Sequence, residues 1–222
     1  MATDKPTLAI VGGTGTLGSA LARRLALAGY PIVIGSRTAA KAEEAARTIQ
    51  ASSSGGDVRG ATNADAARAG SIVILTVPWA SHTAILDEIK AATAGKLLVD
   101  TTVPLVPPRV ARVQLPVEGC AALAAQQRLG EATRVVSAFH NVAAHKLQTD
   151  ADIDCDVLVF GDDPKDREVV ISLAEAAGLR GLHAGPLANS AAAEALTSVL
   201  IGINRNYKVD GAGIRITGLN KS

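Results

Sequence analysis

Short, nearly unbroken apolar runs alternate with longer alanine-rich stretches through the N-terminal half of the chain. The apolar runs cover residues 7–11, 32–35, 72–76 and 97–100, with a weaker one at 58–61. Such runs, lacking polar alternation, suit parallel strands covered on both faces. Between them, residues 17–28, 39–51 and 84–92 read as helices, and a short helix follows 58–61 with Asn63 as its cap. The serine- and glycine-rich stretch 52–56 reads as a flexible loop. Strands separated by helices imply βαβ units and a doubly wound sheet.

Past Asp100 the pattern changes. Residues 101–119 hold Pro104, Pro107, Pro108 and Pro116 and cannot form regular helix. A short helix at 121–129 comes next, then strands at 135–138 and 157–160. Residues 164–177 form a further helix, with Pro164 suited to its first turn. A last helix, about 190–203, carries little charge and an apolar run from Val199 to Ile201. A helix that apolar is buried in its own chain or against a second subunit. The expected architecture is α/β, a Rossmann-like doubly wound parallel sheet with a small C-terminal α/β domain. Residues 1–140 make the nucleotide-binding domain and 141–222 the smaller one.

Composition narrows the function. A chain of 222 residues fits one large domain, or a nucleotide domain with a small addition. With 48% hydrophobic and 19% charged residues it is globular. Its net charge of +1 has no long run of one sign, and 2% aromatic content leaves few rings to stack on bases. Small molecules, not nucleic acid, are the expected partners. Cys120 and Cys155 lack the spacing and the histidine neighbours of a metal site. The polar start, residues 1–6, runs straight into a strand without a signal peptide. No apolar stretch reaches the length of about 20 residues that a membrane helix needs. These features lead us to expect a cytoplasmic protein with reduced thiols.

The most informative motif stands after the first strand. Leu8–Val11 leads into Gly12-Gly13-Thr14-Gly15-Thr16-Leu17-Gly18, and a helix begins there. Gly13, Gly15 and Gly18 satisfy G-x-G-x-x-G: the first for a tight turn, the second for close approach of a pyrophosphate, the third for helix–strand packing. Amides of the first helical turn then face the phosphates. The end of the next strand selects the cofactor. Enzymes that use NAD carry Asp or Glu there for the ribose 2′-hydroxyl. Here stand Gly35-Ser36-Arg37, with Lys41 one turn on. A hydroxyl and two cations suit a 2′-phosphate, and therefore NADP(H).

Taken in order, Gly12 to Gly18, Gly35-Ser36-Arg37 with Lys41, and Thr76-Val77-Pro78-Trp79 resemble the NADPH-dependent coenzyme F420 reductases. The stretch Val135 to Asn141, Gly161-Asp162-Asp163, and Ala184-Gly185-Pro186-Leu187 with Asn189-Ser190 are similar too, so the resemblance spans nearly the whole chain. It implies a homodimer in which the deazaflavin of F420 stacks on the nicotinamide of NADP(H) in a cleft between two domains. Carried over, Thr14, Gly15, Thr16, Leu17, Ser36, Arg37 and Lys41 hold NADP. Val77, Val103 and Ala144 line the nicotinamide end, and Ala212 approaches F420; Pro78, Trp79 and Val142 are further cofactor-binding candidates. The chain departs from the family at His140-Asn141-Val142-Ala143, which lacks a proline expected there, at Asp100 to Pro104, and at Pro107-Pro108-Arg109.

Hydride transfer between stacked rings needs orientation more than acid–base groups. His140, at the C-terminal end of a buried strand, either orients the acceptor or satisfies local backbone. Trp79 either walls the nicotinamide or packs. Asp162-Asp163-Pro164 reads as a helix cap, and both cysteines as small core residues. A short-chain dehydrogenase is excluded, because its Tyr-x-x-x-Lys pair is missing: Ile34 stands after Tyr30, and Gly211 after Tyr207, at that spacing. A reductase of another small acceptor, or a non-catalytic NADP(H) sensor, remains open on the residues alone.

Overall fold

The computed structural model describes residues 5–52 and 55–219. Within the loop expected at 52–56, Ser53 and Ser54 lie outside the described residues, as does most of the polar start, residues 1–4. Six parallel strands form the main sheet: β1 (Leu8–Val11), β2 (Ile32–Ser36), β3 (Val58–Thr62), β4 (Ile72–Leu75), β5 (Leu97–Asp100) and β6 (Arg134–Ser137). Their order across the sheet is β3-β2-β1-β4-β5-β6. The chain runs one way from β1 through β3, then crosses back to β4 beside β1. The carboxyl ends of β1 and β4 lie side by side, with Val11 opposite Leu75. Ligands of open α/β sheets bind outside such a switch point.

The helices α1 (Thr16–Leu27), α2 (Ala39–Ser52), α3 (Asn63–Ala69), α4 (Trp79–Thr93) and α5 (Ala121–Leu129) connect these strands. Side chains alternate across a strand, so each one feeds two cores. Leu8 and Ile10 of β1, with Ile32 and Ile34 of β2, pack against Leu21 and Leu25 of α1 and Ala42 of α2. Ala9 and Val11, with Val33 and Val73, face Ala66 of α3, Leu86 of α4 and Ala122 of α5. All four residues of β1, β4 and β5 are buried, as the apolar runs predict for every one of them except Asp100. Each Leu or Ile buried this way contributes about 1.5–3 kcal/mol.

The C-terminal part adds α6 (Ala144–Leu147), β7 (Asp156–Val159), α7 (Pro164–Ala176), β8 (Arg180–His183) and α8 (Ser190–Tyr207). Strands β7 and β8 pair in parallel as a second, two-stranded sheet. An antiparallel bridge between Ser137 and Phe160 fastens it to the end of β6. Val157, Val159 and Val170 join the same core cluster as Leu8 and Leu21, so hydrophobic packing is continuous across both sheets.

Some local expectations need correction. The short third helix is capped by Thr62, whose hydroxyl accepts from the Asp65 amide at 3.2 Å, and not by Asn63. Asn63 is buried and used elsewhere. Helix α4 begins at Trp79, with Pro78 as its extended N-cap, several residues before the point that the apolar spacing suggests. Helix α8 continues to Tyr207. Asp163 does cap α7, accepting from the Lys165 amide at 2.8 Å, with Pro164 in the first turn. Cys120 and Cys155 are free and buried, and the Cys120 sulfur also caps α5.

Candidate functional site

The turn after β1 is held from several sides. Gly12 has φ +74°, in the left-handed region where a side chain is strained. The Gly12 amide donates to Asn63 Oδ1 at 3.2 Å, and the Gly13 amide donates to the Ile10 and Gly35 carbonyls at 3.1 and 2.9 Å. The tight turn thus falls on Gly12, one residue before the motif's first glycine. Gly13 is needed for packing instead: a Cβ there would sit 2.7 Å from the Ile10 carbonyl oxygen. Gly18 is equally confined, since a Cβ would meet Thr76 Oγ1 at 2.5 Å and Gly13 Cα at 2.7 Å. Gly15 is different. A Cβ on it would come no closer than 3.4 Å to any protein atom, an ordinary contact. Gly15 is the N-cap of α1, with no side-chain hydrogen bond at the cap.

This turn opens onto a cavity of about 650 Å³ over the β1–β4 switch point. Thr14, Gly15, Ser36, Arg37, Lys41, Val77 and Pro78 line it, together with Asn63, Thr76 and Ser81. Ser36 is buried at the end of β2, whereas Arg37 and Lys41 are exposed. Gly13, Thr16, Leu17 and Gly18 shape the turn without lining the cavity. Trp79 is half-buried, with its ring tilted over His82 at 5.2 Å between centroids. The structure gives it a packing contact. Behind the cavity lies a buried pair that no sequence motif signals. His82 Nε2 and Asp100 Oδ2 are 2.7 Å apart, each 1% exposed. Burial pushes the Asp100 carboxyl upward, but His82 and the Thr102 amide and hydroxyl outweigh it and hold the pKa below its usual value. The pair ties α4 to the end of β5.

A second, smaller cavity of about 140 Å³ lies where β6 ends. His140, Asn141, Val142 and Ala143 form one wall, Thr197, Leu200, Ile201 and Asn204 of α8 another, and Gly211 and Ala212 close it. Val103 and Ala144 line neither cavity; Ala144 begins α6. His140 comes directly after Phe139, which adopts φ +67° although it is a fully buried aromatic residue. Such a backbone stores strain of order 1–3 kcal/mol and sets the direction in which the chain leaves β6 at His140. His140 is 5% exposed, and neither ring nitrogen has a hydrogen-bond partner; Asn141 Oδ1 lacks one too. Burial lowers the His140 pKa to about 4, against the opposing pull of Asp100, so the ring is neutral at pH 7. A buried neutral imidazole offers one donor and one acceptor. Leaving them unmade costs free energy.

The chain end reaches this cavity because Asp156 holds it. Buried at the start of β7, Asp156 accepts two hydrogen bonds from Arg180, at 2.7 and 2.6 Å, and one from Arg215 at 3.1 Å. It also accepts from the Ile216 amide at 2.6 Å. Burial raises its pKa, but these partners prevail and keep it below the ordinary value. Nearer the cavity, Asn204 Oδ1 accepts from the Ala212 amide at 2.7 Å, and Lys146 donates to the Gly211 carbonyl at 3.0 Å.

Glu194 of α8 is a further buried carboxyl group, 1% exposed. It accepts from the Ala121 and Ala122 amides at 2.7 and 3.2 Å, which docks α8 on the start of α5. Burial raises its pKa to about 8, despite those amides.

The fold and the glycine cradle at its switch point place the chain in the Rossmann class. Comparison with known proteins narrows this further. A family model described as NADP oxidoreductase, coenzyme F420-dependent, matches residues 7–104. The F420-dependent NADP reductase of Methanocaldococcus jannaschii is 41% identical, over 96% of this chain and 98% of that protein. Its counterpart in Methanothermobacter marburgensis is 40% identical, with the same coverage of both chains. A solved structure from Arthrobacter sp. FB24, a candidate F420-dependent NADP reductase, superposes with a TM-score of 0.79 at 25% identity, covering 95% of this chain and 98% of its own. The chain belongs to the coenzyme F420-dependent NADP oxidoreductase family.

Proposed function

We propose that this protein transfers a hydride between NADP(H) and coenzyme F420. One observation carries the reading: Gly15, where a Cβ would meet protein atoms only at ordinary contact distance, lines one cavity together with Ser36, Arg37 and Lys41. A pyrophosphate fits against the open glycine and the first turn of α1. A 2′-phosphate fits the buried hydroxyl and the two unburied cations. The cofactors, when bound, supply the redox chemistry.

The chain's residues then bind, orient and exclude water. Thr14, Gly15, Thr16 and Leu17 present the turn and the first amides of α1 to the phosphates, with Gly13 and Gly18 fixing its shape. Val77 and Pro78 wall the nicotinamide end. Val103, Trp79 and Ala144 support that end from outside the cavity lining. His140, Val142 and Ala212 border the deazaflavin, the neutral His140 ring orienting the acceptor through a hydrogen bond. Residues 1–140 hold the dinucleotide, and 141–222 close the second cavity through α8 and the clamped chain end. No helix among the described residues is long and apolar enough to cross a membrane. The family's relatives and the buried free thiols support a cytoplasmic enzyme that acts on small-molecule cofactors rather than nucleic acid. Exposed Val199, Ile203 and Tyr207 on α8 support a homodimer.

The test is direct. Purified protein is mixed with NADPH and F420, and the deazaflavin absorbance is followed. The reading expects that absorbance to fall, and to fall far faster with NADPH than with NADH. A protein that binds NADPH but leaves F420 oxidised would contradict it.

A further inference from the structure

The proline-rich segment after β5 and the last turns of α8 enclose a third cavity, of about 280 Å³, lined by Pro108, Arg109, Val110, Ala111, Arg112, Ile201 and Arg205. Three of these residues are arginines, in a chain whose net charge is only +1. Their guanidinium groups have no carboxylate or hydrogen-bond partner among the described residues. Arg23, Arg68, Arg128, Arg134, Arg180 and Arg215, by contrast, pair with carboxylates; Arg37, Arg47 and Arg59 are also bare among the described residues, and what sets the groove apart is that three bare guanidiniums line one cavity. The loop that carries two of the bare cations is organised. The Arg109 amide donates to the Val106 carbonyl at 3.2 Å, and the Arg112 amide to the Arg109 carbonyl at 3.0 Å. Gln114 Nε2 bonds the Val106 and Arg109 carbonyls at 3.3 and 3.4 Å.

This groove adjoins the cavity of His140 and Ala212, because Ile201 lines both. Three unpaired, always-charged guanidiniums around a small cavity match an anion rich in planar or tetrahedral oxygens, which Arg binds in bidentate fashion. A ring seated in the His140 cavity would lead a substituent over Ile201 into their reach.

We propose that Arg109, Arg112 and Arg205 form a binding groove for the anionic tail of the deazaflavin acceptor, its phosphodiester and γ-linked glutamates. The groove distinguishes the full coenzyme from its tailless ring. This assignment rests on F420 being the acceptor.

The test compares three probes: F420, its tailless deazariboflavin analogue, and the phospholactyl-γ-diglutamate tail alone. Replacing all three arginines by alanine removes several exposed charge pairs, which individually are weak. The triple variant is expected to raise KM for F420 about tenfold, equivalent to about 1.4 kcal/mol. KM for the tailless ring should change by less than about twofold on the same scale. Calorimetric titration should show the tail fragment binding the wild type and not the variant, a readout independent of turnover. The wild type needs no mutation to be informative. Raising ionic strength from about 0.01 to about 1 M shortens the screening length from about 30 to about 3 Å, and should weaken F420 but not the tailless ring. Turnover of both deazaflavins with equal KM, in wild type and variant, would overturn the groove while leaving the function intact. Tail binding that depends on the arginines, without reduction of either deazaflavin, would support the groove and overturn the function. A change of oligomeric state in the variant, with its KM for F420 unaltered, would overturn the groove in favour of a subunit contact.

Discussion

Cofactor choice rests on one exposed side chain more than any other, so Arg37→Ser is the sharpest perturbation of the nucleotide site. Arg37 lines the cavity at the end of β2 and is exposed, and Lys41 stands one turn further along α2. In the substituted protein the buried Ser36 and Lys41 remain, so a 2′-phosphate loses one charged partner out of two. A hydrogen bond to a charged group contributes about 1.5–3 kcal/mol. Exposure moves the expectation to the lower part of that range. NADPH affinity should therefore fall roughly ten- to thirtyfold, at about 1.4 kcal/mol per factor of ten. NADH affinity should change by less than about twofold, because its ribose carries no phosphate for Arg37 to meet. Calorimetric titration of both nucleotides into wild type and variant gives the comparison. Salt provides an internal check, since the wild-type preference for NADPH should shrink as ionic strength rises. Equal losses for the two nucleotides would refute the argument, because they would place Arg37 against a part that both share.

Two glycines of the motif should respond in opposite ways. Gly18→Ala should destabilise the fold by about 1–3 kcal/mol, because its Cβ has no room beside Thr76. Gly15→Ala should leave thermal unfolding within about 0.5 kcal/mol of wild type yet weaken NADPH binding, because only the ligand needs that space; thermal melts with and without NADPH read both effects. His140→Ala should slow turnover by no more than about a hundredfold and leave NADPH affinity unchanged. The pH–rate profile should show no step between pH 5 and 8 attributable to this ring, whose pKa lies near 4. Glu194 makes the pH prediction for stability. Its folded pKa of about 8 exceeds the ordinary 4.5, so between those values the folded state holds a proton that the unfolded chain has lost. Stability should therefore fall as pH rises through that window, with a slope of at most about 1.4 kcal/mol per pH unit. Denaturant titrations across the range should lose this component in Glu194→Gln; an unchanged slope would count against the buried carboxylate as its source.

The main sheet is legible in the sequence because its strands are buried on both faces. β1 and β4 are all-apolar runs, and nothing else in a short segment produces that pattern. Helix α5 matches the expected 121–129 from end to end. Strand β8 is not legible. Its residues, Arg180 to His183, are half-buried at the edge of the small sheet and include a glycine and two polar side chains. Helix α6 spans four residues, too few for any period to register. At the site, Thr14, Gly15, Ser36, Arg37, Lys41, Val77 and Pro78 line one cavity. Asn63 misleads because an Asn before a helix looks like a cap; the clue to its real place is its position just past the carboxyl end of β3. Motif spacing puts the tight turn one residue late, at Gly13 rather than Gly12, since spacing does not say which glycine takes a positive φ. The Asp156 clamp and the His82–Asp100 pair join residues far apart in the chain, and no local pattern announces such contacts.

The central claim is that one hydride passes directly between the two cofactors held in this fold. NADPH deuterated on a single face of the nicotinamide, prepared in both stereoisomers, tests it most directly when mixed with F420 and the enzyme. A near-attack separation of about 3–3.5 Å leaves no room for solvent between the reacting carbons. The account predicts that deuterium from one isomer appears in reduced F420, that the other isomer transfers protium, and that none exchanges with water. Deuterium lost to solvent, transfer from both faces, or NADPH bound without any reduction of F420 would contradict it.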